Sequence, residues 1–358
     1  MSSHKQSMSL EELRTALEAK QRIQDVDLSG LDLSRENLHL ANFKGCNLDR
    51  TCFQGQKLEK TGFADCTFLE ADFSGCSFTD MFLRRLDFSG ANFQQAFLLR
   101  CHCSGSVFSK TDFSSARIHW TFLDKTKCRE AVFQGAEFVK CVGLEADLTQ
   151  ADLQDATLER VTLRKAVLQE INLRGVRFDR VNLSAAQLAG HDFSGQKLRS
   201  VNFMDADLSA ASFQGADIST CVLQGANLSG ALLEGITARQ CMFAQAVLNA
   251  AKAQKGDFEQ SFFGQAHINQ ADFRNASLKD CKFTKAQIKG SLFMDADCFN
   301  SDFSHADLTE SNFSRANLYL ACIHGTIQDK TTFTGATKVY LRQPDKDLAE
   351  AEDFQPPA

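Results

Sequence analysis

Proline is scarce in these 358 residues, at three in all, and there are only one tryptophan and two tyrosines. Three prolines is a low count for a loop-rich chain of this length. No apolar run approaches the ~20 residues that a membrane-spanning helix needs. The first nine residues hold neither an apolar core nor a small-residue cleavage site, so the expected location is the cytoplasm. Nucleotide-binding, zinc-protease and serine-hydrolase signatures (GxxxxGK[ST], HExxH, GxSxG) are missing, and no two cysteines form a CxxC pair. No catalytic residue, metal ligand set or cofactor is therefore expected, and the chain does not read as an enzyme. Neither charge dominates, with 39 basic against 45 acidic side chains. At 43% hydrophobic residues, disorder is excluded too.

What the sequence has instead is a period of five. Counting from Leu28, a central residue recurs at 33, 38 and onward to Ile323, which makes 60 centres in one register. All but six are Leu, Phe or Ile; the exceptions are Cys103, Cys128, Gly143, Ala238, Ala253 and Cys298. An α-helix would smear such centres around its circumference, because five residues advance it by about 500°. A straight strand would send successive centres to opposite faces. A backbone that turns a right angle every five residues sends them all inward, and four such faces close one coil. The residue two before each centre also points inward and must be small, as Ala71, Ala91, Ala151 and Ala271 are.

Units such as Ala91-Asn92-Phe93-Gln94-Gln95, Ala206-Asp207-Leu208-Ser209-Ala210 and Ala226-Asn227-Leu228-Ser229-Gly230 resemble the pentapeptide repeat family over about nine-tenths of the chain. The resemblance implies an all-β fold, a right-handed quadrilateral parallel β-helix with ladders of Leu and Phe inside. The period predicts about 15 coils in one continuous solenoid, roughly 70 Å long at the spacing of stacked strands. Residues 20 apart should then lie above one another, as Phe53, Phe73, Phe93, Phe113 and Phe133 would. Eleven of the 13 cysteines fall on inward positions and are expected to be reduced and buried. Only Cys52 and Cys322 should be exposed.

The expected organisation is an N-terminal segment with a capping helix at 1–25, the solenoid at 26–325, an irregular last coil at 326–343 and an acidic tail at 344–358. Ser9 and Glu12 form a capping box, and Leu10, Leu13 and Leu17 give the helix one apolar face. The last coil is expected because Gln328 falls where an apolar centre is due. The tail, with five acids and one base, suits a short acidic helix. Gly143 marks either a small cavity, which Leu144 would turn inward to fill, or a bend or junction between two halves.

With no chemistry in the repeat, function must lie on the outer surface. One corner departs from the polar pattern. One column reads Phe82, His102, Phe122, Val142, and the column across the corner reads Leu99, His119, Val139. Between them stand Arg100, Trp120 and Lys140. Large apolar side chains edged by basic groups form the candidate partner-binding surface. The alternative is that Phe82 or Phe122 folds back and packs locally. A second apolar run, Val222, Met242 and Phe262, and a third, Phe299, Tyr319 and Leu320, recur further on; Tyr319 and Leu320 are expected to seat the C-terminal segment. Arg160, Arg164, Lys165, Arg174, Arg177 and Arg180 make a basic band that could attract anions.

The expected partner is a protein, a second copy of this chain included; nucleic acid and membrane are not expected. The leading reading is a bacterial interaction scaffold, adaptor or effector, of the kind that long uninterrupted members of the resembled family supply to type VI secretion. The other reading the resemblance brings is a DNA mimic that binds DNA gyrase or topoisomerase IV and confers quinolone or toxin resistance. The near-neutral charge of the repeats argues against mimicry, which needs a strong negative field.

Overall fold

Five-residue faces with an inward centre can satisfy their backbone only by stacking on the next turn of the same chain, 20 residues away. The computed structural model describes residues 5–343 and 345, and it shows this register throughout as a parallel β-solenoid. Phe73, for example, donates its N–H to the carbonyl of Asn92 at 2.7 Å, while Asp72 donates backward to Thr51 at 3.0 Å. Each face thus bonds to the coil above and the coil below, leaving the polar backbone paired within the walls.

The chain divides into two compact units, Met1–Ala186 and Gln187–Ala358. Unit 1 opens with β1 (Gln6–Ser7), which pairs in parallel with β3 (Val26–Asp27), already 20 residues apart. Between them lies α1 (Leu10–Glu18). The Ser9 hydroxyl accepts from Glu12 N–H, and the Glu12 carboxylate accepts in return from Ser9 N–H at 2.7 Å. Leu13 and Ala16 are buried beneath it, and a two-pronged Arg14–Glu36 contact holds the helix to the first coil.

Two groups of short strands follow. One sheet is β2 (Ile23–Gln24), β4 (Asn42–Lys44) and β6 (Gly62–Ala64). The other has seven parallel strands: β5 (Lys57–Glu59), β7 (Ser77–Thr79), β8 (Phe97–Leu99), β9 (Arg117–His119), β10 (Glu137–Val139), β11 (Thr157–Glu159) and β12 (Arg177–Asp179). The remaining faces of unit 1, and all described faces of unit 2, pair through single-residue rungs. In unit 1 the column from Asp27 to Val167 is eight residues deep; in unit 2 the column from Gln187 to Ile327 is also eight deep. Each unit by itself therefore stacks about eight coils. The division between the units does not fall at Gly143, where rungs pass through Phe122↔Val142↔Thr162 without a break.

The ladders are as the stacking rule requires. Phe53, Phe73, Phe93, Phe113 and Phe133 lie parallel at centroid spacings of 4.7 to 5.0 Å. In unit 2, Phe243, Phe263, Phe283 and Phe303 repeat this at 4.7 to 4.8 Å, and Phe293 meets the edge of Phe283 at 89°. All 13 cysteines are free, and eleven are buried. Cys52 and Cys322 are half-buried, less open than their outward positions suggested. Burial pushes most of the inner thiols up, Cys76 and Cys141 to about 12. Cys46 differs: a hydrogen bond from the Cys66 thiol, stacked above it, lowers it.

The last coil keeps its backbone register, with rungs from Asp307↔Ile327 to Cys322↔Arg342. What changes over 326–343 is the side chains, since the centres Gln328 and Lys338 are exposed. The Leu320 backbone N–H donates to the Val339 carbonyl at 3.2 Å, and the Tyr319 ring meets Tyr340 edge-on at 5.5 Å. The helix expected at 344–352 lies outside the described residues, Asp345 apart.

Candidate functional site

The corners decide what faces outward. The residue two after nearly every centre is left-handed, with φ between 51° and 65° even where it is not glycine; Arg35 is an exception. Outward Asp and Asn side chains hold these turns: the Asp72 and Asp112 carboxylates accept the N–H of Ser74 and Ser114 at 2.9 and 2.8 Å. The many aspartates before the centres are accordingly turn-holders and not paired acids.

Trp120 occupies such a corner at φ 54°, where a bulky side chain costs about 1–2 kcal/mol relative to glycine. It is half exposed, at 51%. Arg100 and Lys140 occupy the same corner one coil to either side, at φ 52° and 55°. The seven-stranded sheet approaches this corner and presents Leu99, His119 and Val139 from the ends of β8, β9 and β10. The next face presents Phe82, His102, Phe122 and Val142. The ten residues singled out in the sequence are thus brought together on one ridge of unit 1.

Within the ridge the rings form a ladder. Phe82, His102 and Phe122 stack at 4.9 Å with planes within 13°. Stacking does not bury them: Phe82 remains 65% exposed and Phe122 40%. The rings lean on one another rather than folding back over the corner. The faces between neighbouring rings are occupied, so a nucleobase finds no platform between them.

The charges are arranged unusually. Arg100 grips Asp80 through Nε and Nη2 at 2.6 and 2.8 Å, and this hydrogen bonding holds the Asp80 carboxyl below its usual range. His119 Nε2 stands 3.5 Å from Glu137 Oε1, and its ring meets Phe97 edge-on at 5.3 Å. Three other cations lie over aromatic rings: Lys140 Nζ 4.0 Å from Trp120, Arg117 4.7 Å from Phe97 and Arg84 5.8 Å from Phe82. Phe97, Arg117 and Arg84 were missed in the sequence. The same 20-residue rule, applied to the column through Lys57, Ser77 and Phe97, places Arg117 directly above Phe97.

One coil before Phe82 the column holds Gly62, and a groove of about 430 Å³ opens there beside Lys60, Asp80, Met81 and Phe82. At the other end, Gly143 leaves an apolar cavity of about 30 Å³ behind the ridge, lined by Leu123, Cys141, Leu163 and neighbouring core residues. Leu144 does not turn in to fill it. It is 37% exposed, its N–H held by Asp124 Oδ1 at 2.9 Å. Instead the end of Leu163 leans in, 3.1 Å from where a Cβ on residue 143 would sit. That end is flexible, and residue 143 is not in the left-handed region. Gly143→Ala is therefore expected to raise unit 1's stability by about 0.5–1 kcal/mol, seen as a higher Tm; a fall would mean that Leu163 cannot yield.

The six cations of the basic band are not one patch. Arg160 and Arg180 continue the corner column of Trp120 and Lys140, with Arg180 bound to Asp179 at 2.8 Å and Arg160 3.9 Å from Glu159. Arg177 is exposed on β12, Arg164 and Lys165 stand at the next corner, and Arg174 on another face. In unit 2, Met242 is 42% exposed, whereas Phe262 lies flat over Gly264, where a Cβ would come within 2.4 Å of Phe262 Cζ. That run packs locally. Among the described residues, no three His, Cys, Asp or Glu side chains gather as a metal site, and no helix is long and apolar enough to cross a membrane.

The family model for pentapeptide repeats matches in eight copies, over residues 22–59, 87–124, 126–164, 158–195, 186–225, 226–265, 263–293 and 296–335. No curated protein matches the chain. Among solved structures, HetL, a pentapeptide repeat protein involved in heterocyst differentiation regulation from the cyanobacterium Nostoc, is 18% identical over 92% of this chain and 96% of its own, with a TM-score of 0.19. QnrB1, a plasmid-mediated fluoroquinolone resistance protein, is 19% identical over 57% of this chain and 90% of its own, with a TM-score of 0.31. Rfr23, from the cyanobacterium Cyanothece, is 16% identical over 45% and 88%, with a TM-score of 0.16.

Proposed function

The chain belongs to the pentapeptide repeat family, and from that premise we propose that it is a non-catalytic scaffold that captures a protein partner on the ridge of unit 1 around Trp120. The observation that carries the reading is the exposed Phe82–His102–Phe122 ladder beside an exposed Trp120. Large rings left open on a repeat whose other outer columns are polar are the residues on which protein interfaces concentrate their binding energy. No match reported above concerns type VI secretion, so the proposal is confined to capture, with a second copy of the chain among the partners.

A topoisomerase-binding DNA mimic is the second reading. It needs a continuous negative surface. The corner column instead reads Asp80, Arg100, Trp120, Lys140, Arg160 and Arg180, which is basic. A gyrase supercoiling assay separates the two: inhibition at low protein concentration would restore mimicry.

The direct test is the double variant Trp120→Ala, Phe122→Ala. Both side chains point outward, so circular dichroism and Tm should stay close to the parent. Affinity for a captured partner should fall at least about thirtyfold, the loss of one hot spot or more. An unchanged pull-down profile together with an unchanged light-scattering mass would sink the proposal.

A further inference from the structure

The wall of unit 1 has an opening beside β6. The three-stranded sheet stops at that strand, and its column resumes only with the rung Phe82↔His102, so among the described residues no rung joins Gly62–Ala64 to the coil above. Phe63 on this strand is 8% exposed, whereas Phe43 beneath it is fully buried. The groove of about 430 Å³ lies in this gap, and Ala64 lines it. Two residues on, the Cys66 thiol donates to the Ala64 carbonyl at 3.3 Å. A sulfur therefore stands directly behind the lining of the groove, with 4% of its residue still exposed.

One rung below Cys66, at the same inward position, is Cys46. Thr67 N–H donates to the Cys46 carbonyl at 3.2 Å, and the following residues pair as the rung Asn47↔Thr67. Neighbouring rungs stand ~4.8 Å apart, within the roughly 4.4–6.8 Å between Cα atoms that a disulfide spans. The two thiols hydrogen-bond to each other, which eases loss of the first proton from the pair.

A second stacked pair, Cys221 and Cys241 in unit 2, gives the contrast. Both residues are fully buried, and both thiols donate to main-chain carbonyls, Leu198 at 2.8 Å and Ile218 at 3.0 Å. Burial pushes both of these thiols up. The wall on the preceding face is closed, with rungs Asp217↔Thr237↔Asp257. Stacking alone is thus common to both pairs, while access and a shared proton belong only to Cys46 and Cys66.

We propose that Cys46 and Cys66 are an oxidant-sensing pair, closed to a reversible disulfide by a small hydroperoxide that enters at the Gly62 groove. One sulfur of the pair, as thiolate, attacks a peroxide oxygen; the O–O bond breaks, and the leaving hydroxide takes up a proton to become water. The other thiol then attacks the sulfenic acid so formed, makes the S–S bond and releases a second water. Two electrons pass from the sulfurs to the peroxide, and the two thiol protons end in the two waters. Exchange with a dithiol restores the pair.

The test treats the folded, fully reduced chain with hydrogen peroxide and maps its cysteines by mass spectrometry without reduction. A Cys46–Cys66 linkage is expected, reversed by dithiothreitol, and formed at least tenfold faster than any oxidation of Cys221 or Cys241. Cys52 and Cys322 have no cysteine one rung away and report exposure alone. Cys46→Ser places at this position a residue the repeat already uses there, as at Ser106 and Ser261, and should leave Cys66 as a sulfenic acid that dimedone traps. Gly62→Leu, its fold checked by circular dichroism, should slow closure at least tenfold by filling the groove. A linkage that forms only in urea, equal rates for the two stacked pairs, or no dimedone adduct in Cys46→Ser overturns the proposal. Closure of Gly62→Leu at the parent's rate overturns it too, because the peroxide then does not enter there. None of these outcomes bears on capture at the Trp120 ridge.

Discussion

Phe93→Ala should cost unit 1 about 4 kcal/mol, the middle of the range for emptying a phenylalanine site. Phe93 is fully buried and stacked at 4.8 Å on both Phe73 and Phe113. It also meets Phe78 and Phe88 at 5.6 and 5.5 Å. A core made of walls bonded rung to rung cannot collapse around the hole, because each wall is fixed to the coils above and below. The loss should therefore include both the transfer energy and most of the cavity term. Phe93→Leu puts in the repeat's other common centre and should cost under about 1.5 kcal/mol. Denaturant titration of the two variants checks this. If alanine costs no more than leucine, the aromatic ladder is not what holds the coils together.

The second large effect is acid sensitivity from His191. This residue takes the small inward position of its face, where the repeat elsewhere mostly uses small residues such as Ala, Cys, Ser or Thr. Its ring lies 4.5 Å from Phe193, and Nε2 is buried without a hydrogen-bond partner. Burial lowers its pKa to about 4, the nearby Asp192 carboxylate only partly opposing this. A histidine whose folded pKa is depressed contributes nothing unfavourable above its unfolded value near 6.5. As pH falls below 6.5 the unfolded chain takes up a proton that the folded chain refuses, so stability is lost between pH 6.5 and 4. The loss is about 2 kcal/mol at pH 5 and about 3 kcal/mol at pH 4. His191→Ala should remove that slope, and the two chains compared by denaturation at pH 7 and pH 5 should diverge by about 2 kcal/mol. Parallel pH profiles would show that His191 is protonated in the folded state.

Much of this molecule was legible because its repeat is so short. Leu28 to Ile323 in one register left no other way to bury the centres, and the 20-residue stacking rule then placed Phe82 beside His102 and Trp120 beside Lys140. Other features were not legible. Gly143 was visible as a gap, but whether Leu144 or Leu163 would answer it depended on which side chain lay above the hole and which had its backbone held by Asp124. The missed cations, Arg84 and Arg117, looked like ordinary solvated positions until their rings were known to lie beneath them.

The sequence by itself determined the solenoid, its inward ladders and its buried thiols. Each follows from residue type recurring at a fixed chain interval. Only the tertiary structure decided that the rings of the ridge stay exposed, that three cations lie over rings there, and that a groove opens at Gly62. Those depend on side-chain direction across neighbouring coils, which a period cannot encode. That is also why the exposed scaffold corner, first noticed as a break in pattern, became a surface with a definite charge and shape.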